Sequence, residues 1–363
     1  MSASNTDDTP ETINYIGFNQ DSKIISVGHK EGYMFYKTAD ILENSTLTCE
    51  GQSLNHLGLN NCLIIERLFS SALMVVISQK DPRVLHVYHF TSKNIICDHR
   101  FNKSILTVRL NRDRIVVCLE DCIYIYNLKD MKMMHNIMDT PMNKLGVVDL
   151  TSKPGNALIA YPGSTDTGSV HLFDAINLSS VNTFVAHEGT LACLKFNQDG
   201  NMIATASTKG TVIRVYSVPT GTRMFEFRRG VSRCVTIYSL CFSCDSKYLA
   251  SSSNTETVHV FKLEKPEGDD KPEAANESAG WFDTINKTIS AYMPTQVLQV
   301  SEFMTTERKG GELDLIKQHR IGPKTESCRI SPLGTGGKSS DSNQTVPNMD
   351  DPDDFPPMSH TSG

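Results

Sequence analysis

Hydrophobic and polar residues alternate in short runs along most of the chain, and polar turns separate the runs. The segments 17–36, 195–218 and 241–263 share one order: a strand, a turn containing Asp, a second strand, a polar turn and a third strand. Alternation with a period of two places successive side chains on opposite faces of a sheet. The two clearest copies begin at residues 195 and 241, which are 46 positions apart. The pattern therefore predicts a repeated β unit.

Three looser copies of this unit complete the series. They cover residues 62–90, 105–128 and 146–175, and all three alternate and are rich in β-branched residues. A repeat of about 40–45 residues is typical of one blade of a β-propeller. Six copies precede residue 264, so the sequence predicts an all-β propeller whose blades follow the order of the chain.

The repeat ends after residue 263. Residues 264–280 are acidic, contain proline and are almost free of large apolar side chains, which predicts a disordered linker. The next segment, 281–293, has apolar residues at helical spacing before Pro294, which predicts an amphipathic helix. Its apolar stripe consists of Trp281, Ile285, Ile289 and Tyr292, with Phe282 and Met293 beside it.

Composition places the chain among soluble globular proteins, with 39% hydrophobic and 21% charged residues. No apolar run approaches the roughly 20 residues that a spanning helix needs. The polar, acidic N-terminus does not resemble a signal peptide, so reduced cysteines are expected. The closest cysteine pairs, Cys118/Cys122 and Cys241/Cys244, lack a second pair at zinc-ligand spacing, so no metal site is expected.

Charge is distributed unevenly along the chain. The formal net charge is −6, and residues 341–363 hold five aspartates and no Lys or Arg. The rest of the chain is close to neutral, which argues against a general nucleic-acid binder. Between residues 205 and 233, however, six cationic residues accompany a single acid, Glu226. A local anion site is therefore expected there.

Two adjacent arginines, Arg228 and Arg229, stand in the stretch MFEFRRG. Neighbouring side chains on a strand point to opposite faces, so the pair suits two anions on opposite sides better than one shared anion. Hydroxyls, backbone N–H groups and cations nearby in the repeat are the donors that phosphate oxygens require. The plainer alternative is a solvated arginine pair beside hydroxyls that cap turns and histidines that tie loops to strands.

FRRG, flanked by STKGTVIR (207–214) and SSNTETVH (252–259), resembles the PROPPIN family of phosphoinositide-binding propellers, as do IIERLFSS (64–71) and LNRDRIVVCLE (110–120). The resemblance covers about residues 12–310 and implies a seven-bladed propeller. It also implies two rim sites for phosphatidylinositol 3-phosphate and phosphatidylinositol 3,5-bisphosphate. The residues that match the two sites are His187, Thr205, Ser207, Lys209, Gly210, Thr211, Arg214 and Arg228 for the first, and Arg229, Ser253, Thr257 and His259 for the second. Gly230 of the FRRG motif is also expected among the lipid-binding residues.

Two further surfaces follow from the resemblance. The long blade-six loop, 264–304, would insert into membranes through Trp281, Phe282, Ile285 and Ile289, although a helix folded back on the propeller is the alternative. Arg112, Lys129 and Lys132 resemble a basic patch between blades two and three that receives an acidic coiled coil of a lipidation-machinery scaffold. Ordinary surface charges are the alternative for these three residues.

The function implied is that of a non-enzymatic effector without a cofactor. It would bind 3-phosphorylated inositides on forming autophagosomes and endosomes and recruit scaffold and lipid-transfer proteins from the cytoplasm, and it would not bind nucleic acid. The alternative is a protein–protein scaffold that never engages lipid. An enzyme is disfavoured, because no nucleophile, base and orienting group stand at a recognisable spacing.

The end of the propeller departs from the family pattern. The resemblance fades at residues 303–310 and resumes at 311–321, where ELDLIKQHRI looks like the last strand of a seventh blade. The sequence thus predicts a disordered N-terminus at 1–11, a propeller with an incomplete seventh blade at 12–321, and a disordered acidic tail at 322–363. We interpret the chain as a shortened form of the protein.

Overall fold

The computed structural model describes residues 13–42, 49–229, 234–255 and 257–264, and the backbone of 289–292 and 328–331. Strands dominate this part of the chain and form six sheets in sequence order. Each sheet contains an antiparallel meander of four consecutive strands, and the first sheet has a fifth strand that pairs in parallel. The β-propeller predicted from the repeats is therefore confirmed for six blades.

The first twelve strands form sheets one to three. Sheet one consists of β1 (Ile13–Phe18), β2 (Ile24–His29), β3 (Gly32–Lys37) and β4 (Cys49–Ser53). A short helix α1 (Thr38–Leu42) follows β3, and a 3-10 turn (Asn55–Leu57) follows β4. Sheet two consists of β5 (Cys62–Arg67), β6 (Leu73–Ser78), β7 (Val84–His89) and β8 (Asn94–Arg100). Sheet three consists of β9 (Thr107–Leu110), β10 (Arg114–Cys118), β11 (Ile123–Asn127) and β12 (Met133–Ile137).

Sheets four to six repeat the same plan. Sheet four consists of β13 (Asp149–Leu150), β14 (Leu158–Pro162), β15 (Gly168–Asp174) and β16 (Ser179–His187). Sheet five consists of β17 (Leu191–Phe196), β18 (Met202–Ser207), β19 (Val212–Ser217) and β20 (Arg223–Arg228). Sheet six consists of β21 (Ile237–Phe242), β22 (Tyr248–Ser253), β23 (Thr257–Lys262) and β24 (Ile289–Tyr292). The last described strand, β25 (Cys328–Ser331), belongs to sheet one.

The hydrophobic core lies between neighbouring sheets. The second strands of sheets one and two, β2 and β6, are buried at all six positions, because both of their faces pack against other chain segments. One cluster joins Phe35 of sheet one to Ile65 and Met74 of sheet two. Strands of this kind need apolar side chains on both faces, which explains why the alternation is imperfect in the inner strands.

The meander gives every sheet two distinct ends. The turn between the second and third strands and the connection to the next sheet lie at one end, which we call the front end. The other two turns lie at the back end. In sheet five the front end carries residues 208–211, and in sheet six it carries Asn254 and Thr255. In sheet three the back end carries residues 111–113 and 128–132.

Two terminal segments differ from the sequence prediction. The helix predicted over 281–293 is wrong at 289–292, which is the strand β24, with Ile289 opposite Val260 in antiparallel register. The edge of β23 offers unpaired backbone groups that a strand satisfies and a helix cannot. The disordered tail predicted over 322–363 is likewise wrong at 328–331, where β25 pairs in parallel with β4.

The cysteines largely follow expectation. Eight of them are free, including the buried Cys62, Cys118 and Cys122. Cys49 is the exception, since it is disulfide-bonded and the backbone register pairs it with Cys328. The sequence indicated reduced thiols because the N-terminus does not resemble a signal peptide. The two cysteines are far apart along the chain, and the pairing of β4 with β25 brings their positions together.

Sheet six is buried unevenly. Leu249 and Phe261 pack into the cluster shared with sheet five and are almost fully buried. The residues that alternate with them, including Ala250, Val258 and Val260, are only half-buried. Residues 311–321, predicted to end a seventh blade, lie outside the described residues.

Candidate functional site

The two adjacent arginines end the outer strand of sheet five. Arg228 is the last residue of β20, is exposed, and lies opposite Val212 in the register. The ladder continues for one more residue, because the Arg229 N–H donates to the Thr211 carbonyl at 2.9 Å. The Arg229 side chain crosses to sheet six. The structure therefore brings Arg229 to the sheet-six hydroxyls, whereas the lipid-binding roles of Arg228 and Arg229 stay predictions.

Arg229 ends in a chain of hydroxyl groups at the front end of sheet six. Its Nη2 donates to Ser253 Oγ at 2.9 Å and also to Thr255 Oγ1. The chain continues from Thr255 Oγ1 to Thr257 Oγ1 at 3.1 Å, and from there to His259 Nε2 at 3.3 Å. We call these five residues the blade-six cluster. Its members are ordered by hydrogen bonds among themselves.

Thr255 was missed as a site residue in the sequence, although it stands in the quoted SSNTETVH. The signal that could have found it is the spacing, because Ser253, Thr255, Thr257 and His259 recur every second residue. That spacing places side chains on one face of an extended segment. The backbone reverses between Ser253 and Thr257, which hides the pattern.

A second group of predicted residues meets on sheet five and the end of β16. His187 Nε2 lies 2.9 Å from Thr205 Oγ1, and that hydroxyl donates to the Arg214 carbonyl at 3.3 Å. Arg214 Nη1 donates to the Ala186 carbonyl at 2.6 Å, which ties the arginine to sheet four. The blade-five cluster comprises these residues and their neighbours on β18 and the following turn, namely His187, Thr205, Ser207, Lys209, Gly210, Thr211 and Arg214.

The turn that carries Lys209 and Gly210 is tightly packed. Gly210 has φ +63°, in the left-handed region, and a Cβ built there would lie 2.0 Å from the Val235 carbonyl oxygen. The Val235 N–H in turn donates to the Lys209 carbonyl at 3.2 Å. Only glycine fits this position, and the fit fixes the front end of sheet five against the connection to sheet six.

Both clusters contain a neutral histidine beside an arginine. Burial lowers the pKa of His187 to about 4, with the Arg214 charge as the next cause. Burial also lowers the pKa of His259, and the Arg229 charge lowers it further. At neutral pH each imidazole is therefore uncharged. It can orient hydroxyl groups without adding a positive charge to the cluster.

Comparison with known proteins shows the family of this chain. The model of the PROPPIN family matches residues 12–322. The chain belongs to the PROPPIN family. It is 74% identical to Autophagy-related protein 18 of Caenorhabditis elegans over 412 aligned positions that include 100% of each chain. It is 44% identical to WD repeat domain phosphoinositide-interacting protein 2 of Mus musculus, over 79% of this chain and 63% of that protein.

Solved structures share the fold of this PROPPIN chain. A complex of KlAtg21 with the coiled coil of AgAtg16 aligns with a TM-score of 0.67 and 23% identity, covering 85% of this chain and 99% of that chain. At this identity the likeness concerns the fold.

The third group of predicted residues in this PROPPIN lies at the back end of sheets two and three. Arg112 packs its guanidinium over the ring of Phe69, with Cζ 4.5 Å from the ring centroid. Phe69 belongs to the first turn of sheet two, so the contact bridges the two sheets. Lys129 and Lys132 are exposed on the turn before β12, and Lys132 lies 3.9 Å from Asp130.

The remaining predicted positions are outside the described residues. These are Gly230 of the FRRG motif and the apolar residues Trp281, Phe282 and Ile285. Ile289, predicted to insert into membranes, belongs to β24. No helix in the described ranges is long and apolar enough to span a membrane.

Proposed function

We propose that this PROPPIN is a non-enzymatic effector that binds phosphatidylinositol 3-phosphate and phosphatidylinositol 3,5-bisphosphate through the two clusters. The observation that carries the proposal is the contact of Arg229 with the hydroxyl chain of the blade-six cluster. A guanidinium held beside several hydroxyls offers charged and neutral donors to phosphate oxygens in one place. Both lipids present a phosphate that satisfies such donors.

The position of the two clusters supports a two-site mode of binding. They lie at the front ends of adjacent sheets, and the Arg228–Arg229 pair connects them. Two weak headgroup sites on one rigid disc raise each other's effective concentration at a membrane surface. A pure peptide scaffold has no need of a basic pair flanked by hydroxyls on both sides.

The loop that leaves sheet six supports a third membrane contact. It follows β23 and returns at β24, so Trp281, Phe282 and Ile285 fall between two strands of one edge. We place membrane insertion on these three residues. Full burial of each would contribute about 1.5–3 kcal/mol. Ile289 is not included among the inserting residues, because it belongs to the strand β24.

The back end supports recruitment of autophagy proteins to forming autophagosomes and endosomes. Arg112, Lys129 and Lys132 belong to sheets two and three, whereas the two clusters belong to sheets five and six, so lipid and protein partners would contact different blades. An acidic coiled coil of a lipidation-machinery scaffold is the partner that we propose. The named partner of KlAtg21, a coiled coil of AgAtg16, supports this class of partner.

We further propose that the chain is a shortened form with an incomplete seventh blade. The alignment with the Caenorhabditis elegans relative has 412 positions, so at least 49 of them hold no residue of this 363-residue chain. One blade of this fold needs about 40–45 residues. The half-buried outer face of sheet six supports the same interpretation.

Vesicle flotation tests the lipid function. The full chain is mixed with vesicles that contain phosphatidylinositol 3-phosphate and with matched vesicles that contain phosphatidylinositol. Flotation with the first and not the second is the expected result, and equal flotation or none with both would favour the scaffold function.

A further inference from the structure

Sheet two repeats three residues of the front end of sheet five. The Gln79 N–H donates to the Asn61 carbonyl at 2.9 Å, as the Thr208 N–H donates to the Thr190 carbonyl at 2.9 Å. This bond aligns the turns that follow β6 and β18. Ser78 then corresponds to Ser207, and Lys80 corresponds to Lys209. Sheet two therefore carries the same Ser-x-Lys turn that the blade-five cluster carries.

The arginine that ends the outer strand of sheet five is also repeated in sheet two, but there it forms an ion pair. Arg100 ends β8 opposite Val84, as Arg228 ends β20 opposite Val212. Arg100 Nη2 lies 2.7 Å from Asp81, which stands where sheet five has Gly210. The guanidinium of sheet two is thus neutralised by its own turn. Lys80 forms no ion pair with any residue of the described ranges.

Lys80 instead faces a polar cleft between sheets one and two. The cleft has a volume of about 650 Å³ and lies at the front end, between the turn that carries Lys30 and the turn that carries Lys80. The connection between the sheets forms its floor. Gly58 in this connection has φ +69°, and a Cβ there would lie 3.4 Å from Lys80 Nζ. The lysine ammonium therefore lies close above the connection.

The lining combines donors for a phosphate with groups that suit hydroxyls. Two lining residues carry an ammonium group, Lys30 from sheet one and Lys80 from sheet two. Side-chain amides and one carboxylate complete the lining, from Asn55, Asn60, Asn61, Gln79 and Glu31. Ammonium and amide N–H groups donate to phosphate oxygens, whereas a carboxylate accepts from hydroxyl groups and repels a bare anion. This combination selects a ligand that carries both.

We propose that this cleft binds the phosphate monoester of a polyol, such as an inositol phosphate or a sugar phosphate. The phosphate lies between Lys30 and Lys80, and the hydroxyls of the polyol face Glu31 and the amides. The site is separate from the blade-five and blade-six clusters and does not depend on their binding lipid. A soluble polyol phosphate and the headgroup of a phosphoinositide share this chemistry.

Lysine acetylation with a soluble reagent tests the site. The full chain carries Arg228→Ala and Arg229→Ala, which removes the adjacent arginines proposed to bind lipid. The probe is inositol 1,3-bisphosphate, and the acetylation rate of each lysine is measured by mass spectrometry. We expect saturable protection of Lys30 and Lys80. Lys93 is the internal control, because it is exposed in the turn before β8 at the back end of the same sheet. Unchanged rates at Lys30 and Lys80, or equal protection of Lys93, would overturn the proposal.

Two variants and two ligand sources complete the test. Lys30→Gln with Lys80→Gln should weaken probe binding by roughly tenfold for each lysine lost, while Lys93→Gln should not weaken it.

Vesicles that contain phosphatidylinositol 3-phosphate are then compared with the soluble probe. Protection by the soluble probe alone assigns the site to a soluble ligand, and protection by both assigns it also to membranes. Protection by neither contradicts the proposal.

Discussion

Arg214 Nε donates a hydrogen bond to Glu226 Oε2 at 2.8 Å across the β19–β20 ladder. The same carboxylate oxygen lies 3.0 Å from Arg223 Nη1, so a single acid serves two arginines. Glu226 is the one acid among the six cations of this region. It lowers the positive potential of the blade-five cluster and fixes the position of Arg214.

Removing this carboxylate should strengthen lipid binding. In Glu226→Gln the amide keeps the shape of the side chain, but Arg214 and Arg223 lose their compensating charge. The pair is partly exposed, so we expect an affinity gain of about two- to tenfold for vesicles with phosphatidylinositol 3-phosphate. Asp139→Asn, an equal change of net charge on the loop after β12, is the control. Equal gains from both variants would assign the effect to net charge alone.

The Gly210 turn is expected to be intolerant of substitution. Gly210→Ala places a Cβ against the Val235 carbonyl at a residue with positive φ, and should lower the free energy of unfolding by about 2 kcal/mol or more. Gly155→Ala has a positive φ but open space and should cost about 1 kcal/mol. Gly189→Ala has neither obstacle and should be neutral. Urea unfolding of the three variants measures this order, and similar costs at all three positions would contradict it.

The blades could be predicted from the sequence because each is a local meander. Alternation and turn residues over about 40 positions specify every antiparallel neighbour, and six sheets appear where six copies were predicted. Arg229 was also predictable, since strand geometry alone separates adjacent side chains. These features depend on residues that are close together along the chain.

The features that sequence reasoning missed join distant residues. Arg109 Nη1 lies 2.8 Å from Glu66 Oε1, and Lys195 Nζ lies 3.1 Å from Asp149 Oδ1, which links the first strands of different sheets by ion pairs. The strand β25 pairs with β4 across most of the chain. No local pattern marks such partners, because pairing is decided by how the sheets pack.

Stability should fall as the pH falls through the window set by His187. Its pKa is about 4 in the folded protein and about 6.5 in an unfolded chain, so only the unfolded chain takes up the proton between these values. The contribution of the uncharged His187 to the free energy of unfolding is therefore complete above pH 6.5. It falls by about 3 kcal/mol at most towards pH 4. His187→Asn removes the titrating group, and urea unfolding between pH 7.5 and 4.5 should show a smaller loss for this variant. Parallel losses in both proteins would refute the assignment.

The incomplete seventh blade that we propose should limit stability. An open ring leaves strand edges unpaired, which favours unfolding and association. Inserting a full seventh blade at Gly310 should raise the midpoint of thermal unfolding and reduce association on size-exclusion chromatography. A 363-residue chain that is monomeric and equally stable would show that no blade is missing.

The two-site account of lipid binding depends on Arg228 and Arg229 serving different anions. Flotation with vesicles that contain phosphatidylinositol 3-phosphate should weaken in Arg228→Ala and in Arg229→Ala, and the double variant should no longer float. Circular dichroism confirms that each variant is folded. If one single change abolished flotation while the other had no effect, or if the folded double variant still floated, the account would be wrong.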